Sequence, residues 1–207
     1  MKRSTNGALG AAIVCLAVTL AQAAHSRLPV GDPLAGAPGI AGSGDSSSAG
    51  DRERIDAGFA MTPVPLDMQG KNPRLVGLGS YLVNAVGACH DCHTNPSYLP
   101  GGDPYQGQPI QINTANFLAG GKLFGPFVSS NLTPDANGLP TGRTLEQFMS
   151  VMRQGLNLNC QPGDPPPHCP LLHVMPWPNF QDSSDGDLQA IYEYLSAIPH
   201  AEPGTAP

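Results

Sequence analysis

Positive charge is scarce in this chain of 207 residues, which has 10 Lys and Arg against 16 Asp and Glu. Two of the basic residues, Lys2 and Arg3, belong to a predicted export signal, and removing them leaves 8 basic against 16 acidic residues. Binding to nucleic acid depends on clustered Lys and Arg, so the composition argues against such a partner. An acidic surface is compatible with docking on a basic patch of another protein.

The sequence also has no apolar run long enough to be a clear membrane span. Residues 7–20 are apolar and uncharged, but a span needs roughly 20 such residues. The run follows Lys2 and Arg3 and precedes Ala21-Gln22-Ala23, an A-x-A cleavage pattern. Residues 1–23 are therefore predicted to be a signal peptide that exports the protein. The alternative is an uncleaved membrane anchor.

No segment alternates apolar and polar residues clearly enough to predict a β-strand. Three helices are predicted instead, over residues 73–87, 144–154 and 185–197, each with an apolar stripe of helical period. A capping box of Thr144 and Gln147 begins the second helix, and Ser184 caps the third. The predicted fold class is all-α, with three main helices and long loops. Loops this long in a small domain indicate that a bound group fills the space they surround.

Composition divides the chain into four parts. After the signal peptide, residues 24–70 are rich in Gly, Ala, Ser and Pro and have no apolar periodicity, so a disordered leader is predicted there. Residues 71–200 form the predicted compact domain. Residues 201–207 are predicted to be a flexible tail.

The motif Cys89-His90-Asp91-Cys92-His93 has the spacing of a c-type haem attachment site. Two thiols three residues apart at the end of a helix reach two vinyl groups on one edge of a porphyrin. His93 then lies under the ring and offers a nitrogen to iron, whereas His90 is a spacer. The sequence thus predicts one haem c, covalently held by Cys89 and Cys92.

Two other chemistries use similar motifs. A redox dithiol would sit at a helix N-terminus after a strand, but here the motif follows a predicted helix. A structural zinc site needs a second ligand pair. Cys160 and Cys169 could supply that pair, although their separation is wide for such a site.

Met175 is the predicted second axial ligand of the iron. It lies in HVMPWPNF, outside any periodic pattern, and Pro176 and Pro178 restrict the backbone around it. His173 is the alternative ligand. Trp177, the only tryptophan, is a candidate donor to a haem propionate, the alternative being a core residue.

Removing Cys15 with the signal peptide leaves four cysteines, an even number that suits an exported protein. Cys160 and Cys169 are predicted to form a disulfide that closes a loop of about ten residues. Such a bridge contributes roughly 2.5–3 kcal/mol in the chain-entropy model. The alternative is a thiolate ligand to iron.

The chain resembles a known family over residues 72–199. The motifs GSYL, CHDCH, FGPFVSSNLTPD, TLEQFMSVMRQG, MPWPNF and DLQAIYEYL occur in the order seen in mono-haem class I cytochromes c. More narrowly, they resemble the cytochromes that accompany bacterial periplasmic alcohol, aldehyde and related dehydrogenases.

This resemblance implies a cytochrome c fold in which the first and last helices cross, with Gly77, Leu78 and Tyr81 against Tyr192 and Leu195. It also implies axial ligation by His93 and Met175. Asn131 and Thr133 would line the haem crevice near a propionate.

The resemblance and the predicted ligands imply an electron carrier in the periplasm, since an iron with two protein ligands has no vacant site for substrate. A periplasmic dehydrogenase would be the electron donor, and a terminal oxidase or another cytochrome the acceptor. The alternatives are a haem enzyme, similar to a thiosulfate dehydrogenase or a peroxidase, and a haem-bearing subunit of a dehydrogenase complex.

Overall fold

The computed structural model describes residues 49–160 and 170–204. The described part of the chain is mainly helical, as predicted, with five α-helices and one two-stranded hairpin. The predicted signal peptide, the beginning of the predicted leader, Cys169 and residues 205–207 lie outside these residues. None of the helices in the described ranges is both long enough and apolar enough to cross a bilayer.

The three predicted helices form close to their expected limits, as α2 (Pro73–Tyr81), α4 (Leu145–Gln154) and α5 (Asp185–Ala197). Helix α2 continues into a π-helical turn, Leu82–Val86. The capping box at α4 is complete, because Thr144 and Gln147 each accept a hydrogen bond from the other's backbone N–H. The side chain of Ser184 caps α5 by accepting from the backbone N–H of Asp187.

The prediction of a disordered leader over residues 24–70 is wrong from residue 49 onward. Helix α1 spans Ala49–Met61 and packs on α2. Val64 belongs to the hydrophobic core, and the hydroxyl of Thr62 lies 3.1 Å from that of Tyr194. The compact domain therefore begins before Lys71. Its first helix was not predicted because it lies in a segment whose overall composition is typical of a disordered leader.

Glycines bring helices α1, α2 and α5 into close contact. A Cβ atom at Gly58 of α1 would lie 1.9 Å from the carbonyl oxygen of Gly77, and one at Gly79 would lie 1.9 Å from that of Ala190 in α5. Helices α2 and α5, the first and last of the three predicted helices, thus pack against each other, and Gly79 lies at their contact. Gly77 faces α1 instead, and Tyr192 turns toward α4, where its ring lies 5.6 Å from that of Phe148.

The long connection after α2 contains two short elements that matter for the site. Helix α3 spans Cys89–His93. Strands β1 (Leu123–Phe124) and β2 (Phe127–Val128) form an antiparallel hairpin, whose turn includes Gly125 at φ 62°. The hairpin departs from the strand-free prediction because two-residue strands are too short to show an alternating pattern.

The predicted flexible tail is also ordered over its first four residues. Asn131 donates to the carbonyl of Ala201, Asn116 to that of Glu202 and Asn95 to that of Gly204, at 2.8, 2.9 and 3.1 Å. The prediction is therefore wrong for residues 201–204. We call residues 200–204 the strap, since they lie across three separate segments of the domain.

Candidate functional site

A cavity of about 330 Å³ lies between α3, the hairpin and the segment that follows residue 170. Its walls are largely apolar, with Phe127, Leu132 and Leu195 among them. Residues far apart in sequence meet here. The potential ligands that line it are Cys89, Cys92, His93, His173 and Met175.

His93 has a fixed orientation at the cavity. Its Nδ1 lies 2.8 Å from the carbonyl oxygen of Ser130, and because a carbonyl only accepts, Nδ1 carries the proton. The lone pair is then on Nε2, the nitrogen available for a metal. Burial lowers the pKa of His93, although the bond to Ser130 opposes this effect, so the ring is held neutral as ligation requires.

The backbone of His93 is held as firmly as its ring. The carbonyl of His93 accepts a hydrogen bond of 2.6 Å from the backbone N–H of Gly120, and the hydroxyl of Thr94 accepts one of 3.0 Å from that of Leu118. The backbone N–H of Leu132 in turn donates to the carbonyl of Leu118. The segment from Leu118 to Gly120 thus bonds directly to His93 and Thr94, and Leu132 in turn bonds to that segment.

The two thiols of the motif both line the cavity and are not bonded to each other. Ala88, in the left-handed conformation at φ 44°, begins the turn that carries them. Burial raises the pKa of Cys89 to about 12, so this thiol stays protonated at neutral pH. A redox dithiol needs an accessible thiolate, which burial disfavours at Cys89, whereas Cys92 is exposed.

The zinc alternative finds no support in the described residues either. Among them, no three His, Cys, Asp or Glu side chains are arranged to hold a metal ion. Cys160 is disulfide-bonded, while Cys169 lies outside the described residues. The bridge between these two cysteines stays a prediction.

His90 is directed to a different set of contacts. It does not line the cavity. Its Nε2 lies 3.3 Å from the hydroxyl of Tyr98, and its ring meets that of Tyr98 edge-on. Tyr98 and Tyr105 both donate to the carboxylate of Asp91, at 2.5 and 2.7 Å. These contacts are consistent with the predicted spacer role and fasten the motif to the following loop.

Met175 and His173 lie on the same stretch of the cavity wall. Met175 is partly buried against the hydrophobic core. The ring of His173 stacks on that of Phe127 in the hairpin, with centroids 5.7 Å apart. Both residues are within the site, and ligation by Met175 stays a prediction.

The predicted role of Trp177 is not supported by its contacts. Its indole N–H donates to the carbonyl of Leu172, at 3.3 Å, and it does not line the cavity. The ring covers Gly155, where a Cβ atom would lie 2.3 Å from it. Trp177 therefore braces the segment before Met175 in this structure, and a bond from its indole to a haem propionate stays a prediction.

The predicted roles of Asn131 and Thr133 also need correction. Neither lines the cavity, whereas their neighbours Ser130 and Leu132 do. Asn131 donates to the strap, and the hydroxyl of Thr133 bonds to Asn131. The predicted turn lies at the cavity through Ser130 and Leu132, whereas the side chains of Asn131 and Thr133 make their contacts elsewhere. The contact between Ser130 and His93 was not predicted, because it is made by the backbone carbonyl of Ser130 and by no property of its side chain.

Two curated proteins are similar to this chain. The Gluconate 2-dehydrogenase cytochrome c subunit of Pantoea cypripedii is 31% identical over 124 residues, which are 60% of this chain and 23% of that protein. The Alcohol dehydrogenase (quinone), cytochrome c subunit of Gluconobacter oxydans (strain 621H) is 27% identical over 127 residues, 61% of this chain and 22% of that protein. No protein-family model matches the chain, and no solved structure shows significant similarity.

These relatives confirm the resemblance predicted from the sequence. The chain is similar to the cytochrome c subunits of dehydrogenases. It spans less than a quarter of the length of either relative, so the similarity concerns one portion of those subunits.

Proposed function

We propose that this protein is a mono-haem c-type cytochrome of the periplasm that carries single electrons for a dehydrogenase. The observation that supports this most strongly is the convergence of Cys89, Cys92, His93 and Met175 on one apolar cavity. These residues supply two thiols, an imidazole and a thioether, the donor set of a class I cytochrome c. The residues present therefore fit a haem.

Each residue has a distinct task in this proposal. Cys89 and Cys92 would hold the haem through thioether bonds, and His93 and Met175 would bind its iron. The bound haem supplies a one-electron couple between Fe(III) and Fe(II), which a methionine ligand shifts toward the reduced state. The apolar walls exclude water, and the Ser130 carbonyl keeps the imidazole in a single orientation.

The names of the two relatives suggest the electron donor. One is a subunit of a gluconate dehydrogenase and the other of a quinone-containing alcohol dehydrogenase. We propose a donor of that kind, with a terminal oxidase or a second cytochrome as acceptor. The protein itself is proposed to be an electron carrier rather than an enzyme, either free or as a fixed subunit.

The experiment is to express the chain in a bacterium that attaches haem in its periplasm. We expect one haem bound covalently per chain by mass spectrometry, a low-spin spectrum on reduction, and no response to carbon monoxide. The matched control replaces Cys89 and Cys92 together by serine, and this variant should retain no covalent haem. A colourless wild-type protein, folded and with both thiols free, would contradict the proposal.

The haem-enzyme alternative predicts a different result. It requires a vacant or exchangeable position at the iron, so the reduced wild-type protein would bind carbon monoxide rapidly at neutral pH. Disulfide bonding of Cys160 disfavours the version of this alternative in which that thiolate is a ligand.

A further inference from the structure

The strap is joined to the body of the domain by side chains rather than by a regular element. Three asparagines donate to its backbone carbonyls, as described above. The Nδ1 atom of His200 lies 2.7 Å from the carbonyl of Pro134, and Pro203 covers Gly121, where a Cβ atom would lie 2.9 Å from it. Through Asn131 and Pro134, these contacts attach the strap to the turn whose Ser130 carbonyl accepts from His93.

Asn131 is one of the residues that join the strap to this turn, together with Thr133, whose hydroxyl accepts from the backbone N–H of Ala201 at 3.3 Å. Its Oδ1 accepts from the backbone N–H and the hydroxyl of Thr133, at 2.8 and 2.7 Å. Its Nδ2 donates to the carbonyl of Ala201 at 2.8 Å. Ser130, the preceding residue, carries the carbonyl that accepts from His93. The side-chain amide of Asn131 thus uses both its oxygen and its nitrogen. These bonds fix Asn131, whose backbone nitrogen is joined to the Ser130 carbonyl that orients the imidazole.

We propose that Asn131 is a positioning residue, which anchors the chain to the strap and so sets the hydrogen bond between Ser130 and His93. This inference rests on the proposed function, in which His93 is an axial ligand. A hydrogen bond at the second ring nitrogen makes an imidazole more basic toward the metal. A more basic ligand stabilises Fe(III), so a weaker bond to Ser130 raises the reduction potential.

The test compares the holoprotein with Asn131→Ala and Asn131→Ser. Alanine removes every side-chain bond of Asn131, whereas serine retains an acceptor for the backbone N–H of Thr133 but does not reach Ala201. We expect the midpoint potential to rise in both variants, more for alanine, with changed g-values in the electron paramagnetic resonance spectrum of the oxidised protein. Neither substitution changes the net charge, so charge does not confound the potential.

Asn116→Ala is the matched control. It also removes one hydrogen bond from an asparagine to the strap, of 2.9 Å to the carbonyl of Glu202, but Asn116 does not adjoin Ser130. We expect this variant to lose stability while keeping the wild-type potential and g-values.

The outcomes separate this inference from the proposed function. A wild-type protein without haem refutes the proposed function itself. A haem-bearing wild type whose Asn131 variants keep its potential and g-values shows that Asn131 is only structural, which overturns the inference. An equal shift in Asn116→Ala also overturns it. Should Asn131→Ala fail to fold, the potential of Asn131→Ser decides.

Discussion

The imidazole of His93 and the backbone carbonyl of Ser130 form a hydrogen bond of 2.8 Å across 37 residues of sequence. This bond engages Nδ1 and leaves Nε2 as the nitrogen that would bind the iron of the proposed haem. It also ties the attachment motif to the hairpin and the turn that follows it, because Phe127, Val128, Ser129 and Ser130 all contribute to the same cavity wall. The side chain of His93, the proposed ligand, is therefore oriented by contacts within this chain.

The first prediction concerns Met175→Leu. Leucine has a similar volume, so the change in packing alone should cost less than about 1.5 kcal/mol in the free energy of unfolding. The thioether is lost, however, and the reduced protein should bind carbon monoxide, with a lower reduction potential. The measurements are a carbon monoxide difference spectrum and a redox titration.

Met149→Leu is the control for this prediction. Met149 packs against the hydrophobic core but does not line the cavity, so this variant should stay insensitive to carbon monoxide. If Met175→Leu is also insensitive, Met175 is not the ligand, and His173→Ala becomes the variant to examine.

A second prediction concerns the crossing of α2 and α5. Gly79→Ala would place a Cβ atom 1.9 Å from the carbonyl of Ala190, so the two helices must separate. We expect a destabilisation of about 1–3 kcal/mol or more, measured by urea unfolding. At Gly186, near the start of α5, the closest atom is 3.8 Å away. Gly186→Ala should therefore be neutral or stabilising, and equal losses in the two variants would contradict this account of the crossing.

The helices could be predicted because their ends are marked in the sequence. The predicted capping box of Thr144 and Gln147 is present at the start of α4. At the start of α5, the side chain of Ser184 accepts from the backbone N–H of Asp187, as predicted.

Helix α1 was missed because Gly58 lies at its contact with α2, flanked by two apolar side chains, Ile55 and Phe59. A glycine at a helix contact lets the two backbones lie close together but adds no apolar side chain. A search for an apolar stripe therefore does not detect such a helix.

The site could be predicted only as far as side-chain chemistry determines it. The motif from Cys89 to His93 and the position of Met175 follow from residue type and spacing. The contacts of Trp177 depend instead on backbone carbonyls and on packing at Gly155. These tertiary contacts leave no pattern in a single sequence.

A third prediction distinguishes two roles of Trp177, which are packing over Gly155 and a hydrogen bond to a haem propionate. Trp177→Phe removes the bond to the Leu172 carbonyl but keeps an aromatic ring over Gly155. We expect a loss of about 0.5–1.5 kcal/mol in stability and an unchanged reduction potential in the holoprotein. A shifted potential at unchanged stability would instead support a bond from the indole to a propionate.

The last prediction concerns the pH dependence of the strap. Hydrogen bonds to Glu202, at 3.0 Å, and to the carbonyl of Pro134 raise the pKa of His200 above its ordinary value. Because the pKa is higher in the folded state, the stabilisation is complete below the ordinary pKa of about 6.5 and is lost as the pH rises through the raised value. The side chain is 54% exposed, so the contribution should be below about 1 kcal/mol.

Urea unfolding of the wild type and of His200→Gln should therefore differ at pH 6 and converge at pH 9. Both ring nitrogens face an oxygen acceptor, and only the protonated ring donates to both, which is why glutamine does not reproduce the effect. In Glu202→Gln, the raised pKa should fall and the loss of stability should begin at lower pH. A difference between wild type and His200→Gln that stays constant from pH 6 to 9 would show that His200 acts through packing alone.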